Sequence, residues 1–382
     1  MGIADLTRNA VAVLPEGALE EKLKLGRPLR VKFGIDVTAP DVTLGNGVPL
    51  RRMRAFQDEG HLGVLIVGDY TTRIGDPSGR KTERPIIDPA VIDANAQRYF
   101  EHASTIIDPE RTEVRFNSEW LGELDYAEIV RLTRTATVAR LLERDDFAKR
   151  FAAQQPISIS ELLYPIMQGY DSVAVEADIE LGGTDQLYNL LMGREVQQAY
   201  GQEAQVALTV ELLVSWDGQL MSQSKGNYIG LAEAPEEQFG KAMRIPDADL
   251  DQWYRLVMDQ SGAPAGDPLD AKLALARFIV SRSHGEDAAE EAEAHFTRVV
   301  REGRAPDDVP EAPLPEGDPV HLPAVLVEVL GIGTTSDARR LLGQGAVRVD
   351  DEVVTDLDVP RKRLAGALLQ AGKRRYVRLT SD

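Results

Sequence analysis

The apolar positions of this chain follow two rhythms. Short apolar runs bounded by glycine or charged residues predict buried strands at residues 29–36 and 62–67, with a shorter strand at 112–116. A three-and-four-residue rhythm predicts helices between them. One runs to Asp58 with Gly60 as its C-terminal cap, and another runs from Asp125 to about Thr135 inside a largely helical stretch, residues 88–160. In segment 161–186, Tyr164, Gln168 and Asp171 fall four and three residues apart. That spacing sets a phenol, an amide and a carboxylate on one helix face among Leu162, Leu163, Ile166 and Met167. From Val173 to Leu181 apolar and acidic residues alternate, predicting a half-buried strand that runs into Gly182-Gly183-Thr184-Asp185-Gln186. After Asn227 the pattern is helical, with helices expected at 235–243, 250–258, 267–281 and 286–302.

Six prolines between residues 304 and 323 predict a stiff, extended linker with little core of its own. Beyond it, an apolar stretch, a hydroxyl-capped helix at 335–342 and a hairpin at 345–354 predict a small α+β domain. The expected organisation is an α/β domain (1–227) with a helical insertion at about 88–160, an α-helical domain (228–303), the linker (304–322) and the α+β domain (323–382).

Open parallel sheets bind ligands beyond the carboxyl ends of their strands, and three loops fall there. Val37 to Gly47, rich in hydroxyls and glycine and followed by a helix N-terminus, suits a nucleotide phosphate. The loop 68–79 carries Asp76 to the same edge, and Gly182-Gly183 permits close backbone approach. Asp171, Gln168 and Tyr164 could hold the ammonium and a hydroxyl of one small ligand. The residues alone equally fit an ordinary strand-to-helix turn beside an amphipathic helix.

Composition removes several function classes. With no cysteine there are no disulfides or thiolate metal sites, and the five histidines are too scattered to predict a metal cluster. No apolar run approaches the roughly 20 residues of a membrane span, and the N-terminus lacks a signal-peptide pattern, so a cytoplasmic protein without membrane contact is expected. The net charge of −19 argues against nucleic acid as a partner for the chain as a whole. The charge is uneven, however. From Val320 onward 10 lysines and arginines face 8 acids, a net of +2, which leaves −21 on residues 1–319.

Five strings in this order resemble the bacterial tyrosyl-tRNA synthetases: Gly-Ile-Asp-x-Thr-Ala-Pro-Asp from Gly34, Ile-Gly-Asp-Pro-Ser-Gly from Ile74, Tyr-Pro-x-x-Gln-x-Tyr-Asp from Tyr164, Gly-Gly-Thr-Asp-Gln from Gly182, and Met-Ser-x-Ser-Lys-Gly-Asn from Met221. Ser336-Asp-Ala-Arg-Arg-Leu and Gly345-Ala-Val-Arg-Val-Asp resemble an S4 RNA-binding domain. The resemblance implies a class I, Rossmann-like catalytic domain. It would activate tyrosine with ATP, accompanied by Mg²⁺, and pass the tyrosyl group to tRNA(Tyr), working as a homodimer built on the insertion. It further implies that Asp171 accepts from the substrate phenol while Asp76, Tyr164 and Gln168 hold the ammonium. Gly183, Asp185 and Gln186 would meet the ribose and carboxylate side of the adenylate, and Gly34, Asp36, Thr38, Gly45 and Met221 the nucleotide. Arg339, Arg340 and Arg348 would meet RNA phosphates. At the position of Lys32 some members place a tyrosine that touches the phenol, and Lys32 carries no assigned role.

Both family signatures are altered. His-x-Gly-His reads Thr43-Leu44-Gly45-Asn46, and Lys-Met-Ser-Lys-Ser reads Leu220-Met221-Ser222-Gln223-Ser224, followed by Lys225. Thr43, Asn46, Ser222, Ser224 and Lys225 are thus the candidate catalytic groups. Losing one donor aimed at developing charge costs on the order of 10² to 10³ in rate. Three readings stand open: a working tyrosine–tRNA ligase on substituted signatures, a paralogue that binds tyrosine or a relative with altered or lost adenylation, and a tyrosine or tRNA sensor.

Overall fold

The computed structural model describes residues 2–37, 41–73, 88–302, 309–372 and 375–380. Thr38 and Asp76 lie outside the described residues. The apolar runs of the first half form one six-stranded sheet: β1 (Ala10–Leu14), β2 (Arg30–Ile35), β3 (Leu62–Val67), β4 (Thr112–Phe116), β5 (Ile179–Gly183) and β6 (Val206–Val210). Their order is β1-β6-β5-β2-β3-β4. All neighbours run parallel except β1, which lies antiparallel on β6. Val31, Val64, Leu65, Ile179 and Leu208 are buried, as expected of parallel strands covered on both faces. Strand order reverses at the β2–β5 pair, where Val31 lies beside Ile179, so a crevice opens beyond Ile35 and Gly183.

Two helices wall the crevice and a third backs one of them. Helix Leu44–Asp58 starts at the Thr43 cap, and Gly60 follows its end at φ 92°. Helices Ile159–Ala174 and Leu187–Ala199 cross at glycine. A Cβ on Gly169 would stand 2.8 Å from Val196 Cγ2 and 3.3 Å from Gly193 Cα, so only hydrogen lets these backbones approach. That crossing fixes the face bearing Tyr164, Gln168 and Asp171.

Three expectations change. The alternation at 173–178 is not strand: the helix continues to Ala174, Glu176 turns the chain at φ 49°, and β5 begins at Ile179. Val173 packs with the helical cluster around Ile166, whereas Val175 and Ala177 pack against Val64 and Ile66. Two burial directions therefore mimic a two-residue period. The expected linker is also partly structured. Glu311–Pro313 (β7) adds a parallel strand beside Arg375–Thr380 (β13), and Leu314 is buried in that core.

The third change concerns boundaries. The chain divides into compact units at residues 283/284, so the helical domain expected at 228–303 is not a unit of its own. Helices Pro235–Ala242 and Leu250–Met258 belong with the large sheet, and Glu286–Phe296 falls in the second unit. The second unit holds a five-stranded sheet, from Glu352–Val353 (β10) through Val347–Val349 (β9), Leu368–Ala371 (β12) and β13 to β7. Helices Leu322–Leu330 and Thr335–Gly343 close over it, sharing a core of Val325, Leu326, Leu342, Val347, Leu369 and Val377.

Candidate active site

A cavity of about 380 Å³ fills the crevice at the strand-order reversal. It brings together Gly34, Asp36, Thr43, Gly45, Asn46, Tyr164, Gln168, Asp171, Gly183, Asp185, Gln186 and Met221 from stretches far apart in sequence. Ser222, Ser224 and Lys225 are not in its lining, and Arg339, Arg340 and Arg348 belong to the second unit, exposed on helix Thr335–Gly343 and on β9.

At the inner end Asp171 is 4% exposed. Trp120 Nε1 donates to its Oδ1 at 2.8 Å and Asn117 Nδ2 approaches Oδ2 at 3.4 Å. Burial pushes the Asp171 carboxyl up to about 7, against the pull of Lys32 and of these hydrogen bonds. Sequence reasoning missed Asn117 and Trp120. Their signal was present, since Asn117 is the first residue beyond the carboxyl end of β4, where ligand contacts gather. Sequence reasoning named Lys32 without a role. Lys32 is fully buried beneath Gln168, 2.9 Å from Glu180 Oε1.

Toward the middle, Tyr164 donates its hydroxyl to Asp36 Oδ2 at 3.2 Å, and Thr71 donates to Asp36 Oδ1 at 3.1 Å. Gln168 donates to Glu180 at 3.2 Å and accepts from Asn189 at 3.1 Å, and the same Asn189 amide donates to Gln186 at 3.0 Å. The polar groups are thus held at fixed angles before any ligand arrives. Tyr99 contributes to this lining a buried hydroxyl without a hydrogen-bond partner among the described residues, a donor suited to a ligand oxygen.

At the outer end the first-signature residues that line the cleft are uncharged and bonded to each other. Thr43 Oγ1 accepts from the Asn46 backbone N–H at 3.2 Å and donates to Asn46 Oδ1 at 2.9 Å, which also accepts from the Thr43 N–H at 3.1 Å. The two signature replacements therefore form a reciprocal helix cap. Gln223 donates to the Asp41 carbonyl at 2.6 Å, fastening the second signature loop to the entry of the first. Met221 lies over Gly45, its sulfur 3.6 Å from where a Cβ would stand. Ser222 and Ser224 share a hydrogen bond at 3.0 Å, while Lys225 is exposed and donates to Gln219 at 2.9 Å. Among the described residues the cleft lining contains no lysine, arginine or histidine.

A family model described as tRNA synthetases class I (W and Y) matches residues 24–301. The tyrosine–tRNA ligase of Moorella thermoacetica is 48% identical over 390 residues, covering 98% of this chain and 94% of that protein. The chain belongs to the bacterial tyrosyl-tRNA synthetase family. The tyrosine–tRNA ligase of Geobacter sulfurreducens, 45% identical, aligns along the whole length of both chains. Among solved structures, the tyrosyl-tRNA synthetase of Archaeoglobus fulgidus, complexed with L-tyrosine, has a TM-score of 0.59 at 22% identity and covers 76% of this chain and 98% of its own, a likeness of fold. In this chain the inner end of the cleft is interlocked, the first signature segment caps its own helix, and Gln223 of the second is tied to the Asp41 carbonyl just before the first.

Among the described residues no cluster of three or more histidines and carboxylates could hold a metal ion. No helix among them is long and apolar enough to cross a membrane.

Proposed function

We propose that this protein is a tyrosine–tRNA ligase, joining tyrosine to ATP as the adenylate and passing the tyrosyl group to tRNA(Tyr). The observation that carries the reading is Asp171, a buried carboxylate oriented by Trp120 and Asn117 at the closed end of the cleft. A buried acceptor facing the cleft favours a substrate that brings a hydroxyl, because leaving it unpaired is costly. Tyr164, Gln168 and Gln186, with Asp76, hold the amino-acid backbone; Gly34, Asp36, Thr38, Gly45, Gly183, Asp185 and Met221 form the nucleotide side. Magnesium arrives on the oxygens of ATP, which is itself a substrate.

Thr43, Asn46, Ser222, Ser224 and Lys225 are the catalytic groups in this reading. Their hydrogen bonds to one another and to Gln219 must be exchanged for phosphate oxygens during activation. Activation is therefore slower than with charged donors, and the protein acts in the cytoplasm at a modest turnover. Tyrosine-dependent ATP–pyrophosphate exchange tests this. Exchange above background supports the ligase. Tyrosine binding with no exchange overturns it in favour of a tyrosine-binding paralogue, the reading favoured by the reciprocal Thr43–Asn46 cap.

RNA contact is assigned to Arg339, Arg340 and Arg348, all exposed on the net positive C-terminal segment. Homodimer formation through the insertion draws support from its exposed apolar residues. Tyr126 is 82%, Val138 62%, Phe151 59% and Ile159 76% exposed, a concentration that calls for a covering partner.

A further inference from the structure

Behind the amino-acid end of the cleft lies a group of polar side chains that the reaction does not touch. Lys32 on β2 and Glu180 on β5 are register partners in the sheet, 0% and 1% exposed, and neither lines the cavity. All three ammonium protons of Lys32 are used: Gln168 carbonyl at 3.0 Å, Ser172 Oγ at 2.8 Å and Glu180 Oε1 at 2.9 Å. Glu180 in turn accepts from Gln168 Nε2 at 3.2 Å, from Ser172 Oγ at 3.3 Å and from Gln205 Nε2. Asp171 stands between the two helix positions that Lys32 grips.

A buried ion pair is a weak reason for stability, because two apolar side chains of similar volume fill such a space equally well or better. Its placement gives it another use. Lys32 fixes the Gln168 carbonyl, Glu180 fixes the Gln168 amide, and the ammonium charge acts on Asp171 through a medium of low dielectric. We propose that Lys32 is a positioning and specificity-determining residue: from behind the cleft it holds Gln168 in place and keeps Asp171 an acceptor, so the pocket prefers an amino acid with a hydroxyl.

The inference rests on the tyrosine reading given above. The groups that face Asp171 are Lys32 from β2, Glu180 from β5, and Asn117 and Trp120 from the segment after β4. Lys32 acts on the Asp171 carboxyl more strongly than Glu180, and in the opposite sense. Removing both charges therefore drives Asp171 further toward its neutral, donating form.

The experiment measures tyrosine and phenylalanine affinity from about pH 6 to about pH 8.5, a window that spans the titration of Asp171. Phenylalanine shares every ionisation of tyrosine except the phenol, so the ratio of affinities isolates Asp171. The variants are Lys32→Met with Glu180→Gln, which leaves no unpaired buried charge, and Lys32→Arg, which keeps the charge. In the wild type the ratio rises with pH through the titration of Asp171. In the double variant that rise moves up in pH, costing about tenfold in the ratio near neutrality for each unit moved and recovering in alkali. Lys32→Arg keeps the wild-type midpoint. An equal loss at every pH in the double variant, an unchanged ratio, or a midpoint shifted alike in Lys32→Arg would overturn the role of Lys32. Absence of tyrosine binding by the wild type would instead overturn the tyrosine reading, and this inference with it.

Discussion

The two ends of the cleft are built on opposite plans. At and behind the inner end, around Asp171, charged groups are buried and tied by several bonds each: Lys32 by three, Glu180 by four, and Asp171 between Trp120 and Asn117. At the outer end the signature residues that line the cleft, Thr43, Asn46 and Gln223, are uncharged and already hydrogen-bonded, Thr43 and Asn46 to each other and Gln223 to the Asp41 carbonyl. Discrimination between similar ligands is an equilibrium property that a rigid, desolvated pocket can supply alone. Transition-state stabilisation instead needs charge delivered where phosphate oxygens develop it. The first plan is complete in this chain. The second depends on what the loop after Met221 brings.

The sharpest way to break the contrast is Asp171→Ala. It should abolish preference for tyrosine over phenylalanine, a discrimination of about 10⁴ to 10⁵ for which tyrosyl-tRNA synthetases are the standing example. Equal affinities in the unaltered protein would remove the assignment altogether. Asp171→Asn probes the cost of the same design. Because the folded carboxyl sits near 7 and the unfolded one near 3.8, its stabilising contribution is whole below the unfolded value and is lost as pH rises through the folded one. The wild type should therefore fall relative to Asp171→Asn across that window, by about 4 kcal/mol at the upper limit. Parallel denaturation curves at all pH values would contradict the burial account.

At the other end, Asn46→His with Gln223→Lys should raise the exchange rate by about 10² to 10³ without altering tyrosine affinity. A fall in rate would mean that the neutral cap and clamp are themselves catalytic. Gly169→Ala should cost about 1–3 kcal/mol, read by chemical denaturation, because the added methyl meets Val196. Smallest in free energy, Arg339→Glu and Arg348→Glu together should lower tRNA affinity and flatten its salt dependence by a slope of about 2, while tyrosine binding stays unchanged. An unchanged salt slope would move the RNA contact elsewhere.

Much of this was legible beforehand. The helix ending at Asp58 with Gly60 beyond it, the strand at 112–116 and the grouping of Tyr164, Gln168 and Asp171 follow from short-range pattern, and the structure has each. Residues 173–178 misled because apolar positions facing two different cores imitate a strand. The prolines at 310–319 misled for a related reason. Proline removes a donor, but an edge strand such as β7 needs few, so proline-rich sequence can still join a sheet.

From residue types and spacing came the elements and the crevice-lining loops, and from the resemblance came the loss of all four charged or imidazole groups of the two signatures. Periodicity and loop chemistry are local properties, and local properties survive in a linear string. Tertiary structure decided what the remaining groups do. Only the β2–β5 register sets Lys32 against Glu180 beneath Gln168, only the end of β4 turns Trp120 onto Asp171, and only loop closure lets Gln223 reach Asp41. Each of those contacts joins residues separated by long stretches of chain. A buried charge takes its meaning from the partners that desolvation forces upon it.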